Sequence, residues 1–160
     1  MNLCRSPKSS IEFEKYYQLR YQVLRQPWDQ PVGSERDDLE KDSIHKMIID
    51  SQGDVLAVGR LEVVNESQGK IRFMAVSPSA QGQGLGQEIM HHLEAHARSL
   101  GIEEVELNAR EVAVKFYHKQ GYMNLGFAYQ LFNDINHYKM VKSLLIQNSE
   151  LPTINTNQTN

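Results

Sequence analysis

The run Gln81-Gly82-Gln83-Gly84-Leu85-Gly86 places three glycines within six residues, directly ahead of an amphipathic stretch. Glycine lets a backbone approach an anion closely and take positive φ, so that successive N–H groups converge on phosphate oxygens. A helix starting behind such a loop adds its free amides and its dipole. The chemistry implied is pyrophosphate recognition, and spacing removes two of its usual owners. The dinucleotide fingerprint asks for glycine at the first, third and sixth positions, but counting from Gly82 the sixth is Gln87. A triphosphate loop asks for Gly-Lys and then Ser or Thr, and no lysine is present in this loop.

Groups suited to moving protons are dispersed along the chain. Glu62 falls on the strand preceding the one that enters the loop, and His137 on a late strand titrates in the neutral range. His45 is a weaker third candidate, while His91, His92, His96 and His118 read as helix-surface residues. His92 and His96 share a helical face, but no His-Glu-x-x-His pattern or cysteine pair accompanies them, so no metal is expected. Cys4 is the single cysteine, forms no internal disulfide, and falls in a segment expected to fray.

The elements that must position these groups follow from periodicity. Ile71, Phe73 and Ala75 alternate with Arg72, Met74 and Val76, and Pro78 closes the run, so a strand feeds the glycines. Behind the loop, Leu85, Ile89, Leu93 and Ala97 with Leu100 form one helical face, and Gly101 ends the helix. A short strand is expected at Val105 to Asn108 and a helix at Val112 to Gln120, ending at Gly121. Upstream, Ser9 or Ser10 caps a helix from about Ile11 to Arg25, with Glu12 placed for a capping box. Its core face holds Phe13, Tyr17, Leu24 and either Tyr16 or Val23. Residues 26–43 read as a surface loop, in which Glu35 to Asp42 carries five acids and two bases. Strands are expected at Ile44 to Asp50, Val55 to Val64, Tyr122 to Phe132 and Asn136 to Lys142. Residues 147–160 are polar and expected to be disordered, leaving one domain over 1–146.

The pattern Gln81-x-x-Gly84-x-Gly86 resembles the acyl-CoA loop of the GNAT superfamily of N-acetyltransferases, and Phe116-Tyr117-His118-Lys119-Gln120-Gly121-Tyr122 resembles the segment that closes the GNAT site. Together they extend the resemblance over roughly residues 44–142. It implies an α/β GNAT fold, a mixed central sheet with splayed middle strands flanked by helices. Leu19-Arg20-x-x-Val23, Leu107-Asn108-Ala109, Phe116-Tyr117 and His137-x-x-Met140 look most like the ElaA-like group, although Arg110 and Ala128 stand where Gln and Glu would be expected.

The resemblance assigns roles. Acetyl-CoA is the implied donor, held at the loop by Gln81, Gly82, Gln83, Gly84, Leu85, Gly86 and Gln87. The backbone of Met74, Ala75 and Val76 would bond the pantetheine arm, and an amide near Val76 would bind the oxyanion. Asn108 resembles the strand-end residue that bonds pantetheine, while Lys115 or Lys119 would neutralise the 3′-phosphate. Tyr117 matches the family's general acid. Lys70 and Arg72 occupy positions where the family often has its base, so Glu62 or His137 must serve, or a water chain.

The expected reaction is direct attack, in a ternary complex, of a primary amine of a small molecule, peptide or protein on the thioester. The competing reading is a non-catalytic CoA-binding sensor or scaffold. The acidic loop would suit a cationic acceptor. A net charge of −3 and a pI of about 6.1 argue against nucleic acid as a partner. No apolar run approaches a membrane span and MNLCRSPKSS has no apolar signal core, so a cytoplasmic location without membrane partners is expected, and a homodimer is admitted.

Overall fold

The computed structural model describes residues 1–145. The expected disordered tail, 147–160, lies outside the described residues. These residues form two compact units, Met1–Val63 with Lys70–His96, and Val64–Gly69 with the chain from Ala97 onward.

The first unit holds, in strand order, β1 (Leu3–Arg5), β2 (Ile44–Ile49), β3 (Val55–Val63) and β4 (Gln68–Val76) from Lys70 on, with helices α1 (Ser10–Leu24) and α2 (Leu85–Ser99) as far as His96. Segment 3–5, expected to fray, pairs antiparallel with β2 through Leu3 and Ile49, Cys4 and Ile48, and Arg5 and Met47. A side-chain clamp holds it in place: both Arg5 Nη atoms reach the Glu12 carboxylate, at 2.8 and 2.7 Å. That contact also redirects Glu12. Ser9 caps α1 as expected, its hydroxyl accepting from the Glu12 amide at 3.2 Å, but the Glu12 carboxylate accepts from the Lys8 amide instead of closing a capping box.

Helix α1 covers one face of the strands. Tyr16, Leu19 and Leu24 are buried with Met47, Val58 and Ala75, and Phe13, Tyr17, Val23 and Phe73 pack around them. Tyr16 thus takes the fully buried position for which it competed with Val23. Helix α2 packs on β3 at Gly59, where an added Cβ would lie 2.6 Å from both Ile89 Cγ2 and Met74 Sδ and 3.0 Å from Leu93 Cδ1. Only a residue without a side chain admits this approach.

The second unit is an antiparallel ladder in the order β5 (Glu104–Arg110), β7 (Ile135–Ser143), β6 (Met123–Leu131), with the short helix α3 (Val114–Lys119). The helix expected from Val112 is shorter because Glu111–Ala113 winds as a 3₁₀ turn. The strand expected at Val105 to Asn108 extends by a residue before and two after, through the pairs Glu104 with Ser143 and Arg110 with His137. Ala97 ends the preceding helix by accepting the Ile102 amide, with the Gly101 amide bound to Arg98, which leaves Leu100 half exposed off the apolar face.

Candidate active site

The glycine loop forms in the first unit as its composition requires. Gly82 and Gly84 have φ of 80° and 78°, in the left-handed region, and no atom lies within 4 Å of a Cβ built on either. Backbone conformation, not crowding, therefore selects glycine here. Gly84 carbonyl accepts the Glu88 amide at 3.1 Å, so α2 starts at the last residue of the left-handed pair. The amides of Leu85, Gly86 and Gln87 are then in the first turn, where helix geometry supplies no i−4 carbonyl. Gln81, Gly82, Gln83 and Gly84 are exposed, Leu85 is buried as the anchor of α2, Gly86 is half-buried and Gln87 exposed. A short 3₁₀ turn, Pro78–Ala80, links the loop to β4.

On β4, Met74 and Val76 are half-buried and Ala75 is buried. Just before them Phe73 has φ 59°, a left-handed backbone that costs a non-glycine residue about 1–3 kcal/mol. Four guanidinium groups hold its ring: Arg20, Arg72 and Arg60 lie 4.3, 4.6 and 4.8 Å from the centroid and Arg25 lies 5.8 Å away. Cation–π contacts of this kind grow stronger as the cation loses water, and Arg20 and Arg60 are fully buried.

Those arginines bring the acidic loop inward. Arg60 makes a two-pronged bond to Asp37 at 2.7 and 3.0 Å, reaches Glu40 at 2.7 Å, and contacts Glu62. Arg20 bonds Glu40 at 2.8 Å, the Glu35 carbonyl at 3.0 Å and the Tyr16 hydroxyl at 3.0 Å. Arg72 completes the cluster on Asp37 at 3.1 Å, with Glu62 at 3.8 Å. Three guanidinium groups thus face the carboxylates of Asp37, Glu40 and Glu62 in charge balance. The Arg60 guanidinium bonded to Asp37 holds that carboxyl down at about 2. Asp37 and Glu40 are therefore spent on buried cations, while Asp38 and Asp42 of the same loop stay exposed. Glu62, expected as a base or as a solvated strand residue, is neither free nor solvated: its side chain is only 11% exposed and bound to arginine.

His45 lies beside this cluster. Its Nε2 is 2.7 Å from the Glu40 carbonyl, so that nitrogen carries the proton, and its Nδ1 is 2.7 Å from the Tyr16 hydroxyl. Burial first, then the nearby Arg20 and Arg60 charges, push its pKa below the usual histidine value.

The remaining expected residues belong to the second unit. Asn108 and Arg110 lie across from Lys139 and His137 in the β5–β7 ladder, so these four side chains share one sheet face. Asn108 is half-buried and His137 buried. His137 Nδ1 is 3.0 Å from the Ile135 carbonyl, and its ring stands edge-on to Tyr129 with centroids 4.6 Å apart. Donation from Nδ1 to that carbonyl puts the ring's lone pair on Nε2. Tyr117 on α3 is buried, edge-on to Phe116 and Tyr122 at 5.0 and 6.0 Å. Burial pushes its phenol far above the ordinary tyrosine value, partly opposed by Arg110. Lys115 and Lys119, on the same short helix, are exposed.

Periodicity missed the ion cluster. Arg20 and Arg60 look like surface charges in a one-dimensional reading. One signal was present: Arg20 sits four residues after Tyr16 on the buried face of α1, and Arg60 interrupts the apolar run Val58-Gly-Arg-Leu61. A cation on two buried faces demands acids nearby, and Asp37 and Glu40 supply them.

Comparison with known proteins agrees with this architecture. Residues 26–144 match the family model described as an acetyltransferase (GNAT) domain. The chain is 32% identical over 135 residues to the uncharacterized N-acetyltransferase YjcF of Bacillus subtilis, covering 84% of this chain and 95% of that one. A crystal structure of an acyl-CoA N-acyltransferase from Pseudomonas aeruginosa is 28% identical with a TM-score of 0.73, over 89% of this chain and 98% of that one. Escherichia coli ElaA shares the fold, with a TM-score of 0.75 at 22% identity over 89% of this chain and 99% of its own. The α/β chain belongs to the GNAT family and is an N-acetyltransferase.

Proposed function

We propose that this enzyme transfers the acetyl group of acetyl-CoA to a primary amine of a small molecule, peptide or protein by direct attack in a ternary complex, within one acyltransferase domain spanning 1–146. The observation that carries the donor is the pair of left-handed glycines, Gly82 and Gly84, at the start of α2. A structural neighbour, an aminoglycoside 6′-N-acetyltransferase complexed with coenzyme A, adds support through its fold.

In this reading the amides behind Gly84 take the pyrophosphate, aided by Gln81, Gln83 and Gln87, and the β4 backbone at Met74, Ala75 and Val76 bonds the pantetheine amides. Asn108 bonds pantetheine from β5, and Lys115 or Lys119 neutralises the 3′-phosphate. An amide near Val76 binds the developing oxyanion. Tyr117 gives its proton to the leaving thiolate; its phenol is protonated at neutral pH, and the rise that burial imposes means the thiolate must sit directly against it for transfer. The amine's proton goes to His137, a buried imidazole oriented by its Nδ1 contact with the Ile135 carbonyl. Glu62 is the poorer of the two candidates, since its carboxylate is held by Arg60 within the charge-balanced cluster. A cytoplasmic location belongs to the same proposal. No helix among the described residues is long and apolar enough to cross a membrane.

A thiol-release assay over a panel of small amines and amino-terminal peptides tests this function. Release of free CoA with an acetylated amine, at equal amounts, is the expected outcome. CoA release with no acetylated product for any amine would overturn transfer to an amine.

A further inference from the structure

We propose that Cys4, Glu88 and His92 form a binding site for one divalent transition-metal ion of the zinc type, linking edge strand β1 to helix α2. The Cys4 sulfur, a Glu88 carboxylate oxygen and a His92 ring nitrogen all lie within 4.8 Å of one another. Two elements distant in sequence build the group. Cys4 is held in register by its pairing with Ile48 on β2, and Glu88 and His92 are one turn apart on α2, so both project from one helical face. Cys4 and Glu88 are half-buried and His92 is exposed, so the sulfur side is sheltered while the imidazole side opens to solvent. A metal has an entry path.

The donor set selects the ion. Thiolate, imidazole and one carboxylate suit zinc, whereas calcium and magnesium require oxygen ligands. Zinc–sulfur and zinc–nitrogen bonds of about 2.3 and 2.0 Å at a tetrahedral angle put ligand atoms about 3.5 Å apart. The observed spread needs a contraction of about 1 Å, within the reach of χ rotations at Glu88 and His92. Three protein ligands leave a fourth position for water. On binding, the Cys4 S–H bond gives way to a sulfur–metal bond and its proton passes to buffer; with the Glu88 carboxylate the thiolate balances the ion's two positive charges. Without an ion, burial first and the neighbouring Glu88 carboxylate push the Cys4 thiol up to about 11, with Lys46 on β2 opposing, so the metal must displace a firmly held proton.

The expectation that no metal binds rested on the absence of a local motif. The fold supplies the third ligand from β1, where no spacing rule could reveal it. The site shares helix α2 with the glycine loop, whose Gly84 carbonyl accepts the Glu88 amide, but it uses only side chains outside the loop, and the inference does not depend on the proposed reaction. Because an ion held by the native state alone stabilises it by mass action, zinc should bind as a staple.

The full chain, freed of metal by a chelator and desalted, is titrated with Co²⁺ and with Zn²⁺. The expected result is one equivalent of Co²⁺ with a thiolate-to-cobalt band in the near ultraviolet, displaced by Zn²⁺, and a melting temperature that rises to saturation at one equivalent of Zn²⁺. Cys4→Ser should abolish the band, and His92→Ala should weaken binding at least tenfold. His91→Ala, an exposed histidine of the same helix outside the group, should change neither. Should Cys4→Ser fail to fold, His92→Ala at its exposed position carries the test. Absence of the near-ultraviolet band in the wild-type protein, or equal Co²⁺ affinity in the wild-type and His92→Ala proteins, would overturn the site.

Discussion

Single residues would carry the proposed reaction, and in the first unit single residues carry the charge balance of the buried arginines. Tyr117 is the sharpest case, because in the proposed mechanism its buried phenol is the one group that protonates the thiolate. Tyr117→Phe should lower kcat by about a hundredfold or more and leave acetyl-CoA affinity nearly unchanged, as measured by steady-state kinetics beside calorimetry. An unchanged kcat would remove Tyr117 from the mechanism. Arg60 answers to a different measurement. Arg60→Met leaves Asp37, Glu40 and Glu62 without their shared cation, and should lower the unfolding free energy in urea by about 3–5 kcal/mol. His45 predicts a pH response. Its folded pKa lies below the ordinary 6.5, so below that value the unfolded chain binds a proton that the folded chain resists. The contribution is therefore intact above pH 6.5 and is lost as pH falls below it. The urea midpoint should drop between pH 7.5 and 5.5, and His45→Gln should shrink that drop.

At the scale of elements, strand β4, the loop and helix α2 act as one unit. Gly59 lets α2 approach β3, and Gly84 sets the left-handed turn from which α2 begins. The two glycines should fail differently. Gly59→Ala forces Ile89, Met74 and Leu93 apart and should cost about 1–3 kcal/mol of stability, read from urea unfolding. Gly84→Ala meets no atom but must hold a φ of 78°, so it should cost about 1–2 kcal/mol through backbone strain alone and weaken acetyl-CoA binding in the folded protein. Most of this level was legible beforehand. Alternation at Ile71, Phe73 and Ala75, the face of Leu85, Ile89 and Leu93, and the spacing from Gln81 to Gly86 are local patterns, and local patterns survive in one dimension. The left-handed Phe73, the order of β1 and the partners of Arg20 and Arg60 are not local. Segment 3–5 has no strand signal of its own; pairing with β2 and the Arg5–Glu12 clamp create it.

Considered as a whole molecule, the chain joins a firmly identified family to an acceptor that the family leaves open. The inward pairing of Asp37 and Glu40 takes two of the loop's five acids out of the argument for a cationic acceptor. Glu62 stood out in the sequence by its position on a strand, but only its partners show that its carboxylate is already engaged. The donor reads from a contiguous loop, whereas base and acceptor depend on residues that distant segments bring together. The central claim, that the glycine loop serves an acyl-CoA, is tested most directly by calorimetric titration of the full chain with acetyl-CoA, alongside ATP and NAD. Saturable binding of acetyl-CoA at one per chain, weakened in Gly84→Ala and absent for ATP and NAD, is the predicted result; no detectable acetyl-CoA binding by the folded wild-type protein would contradict it.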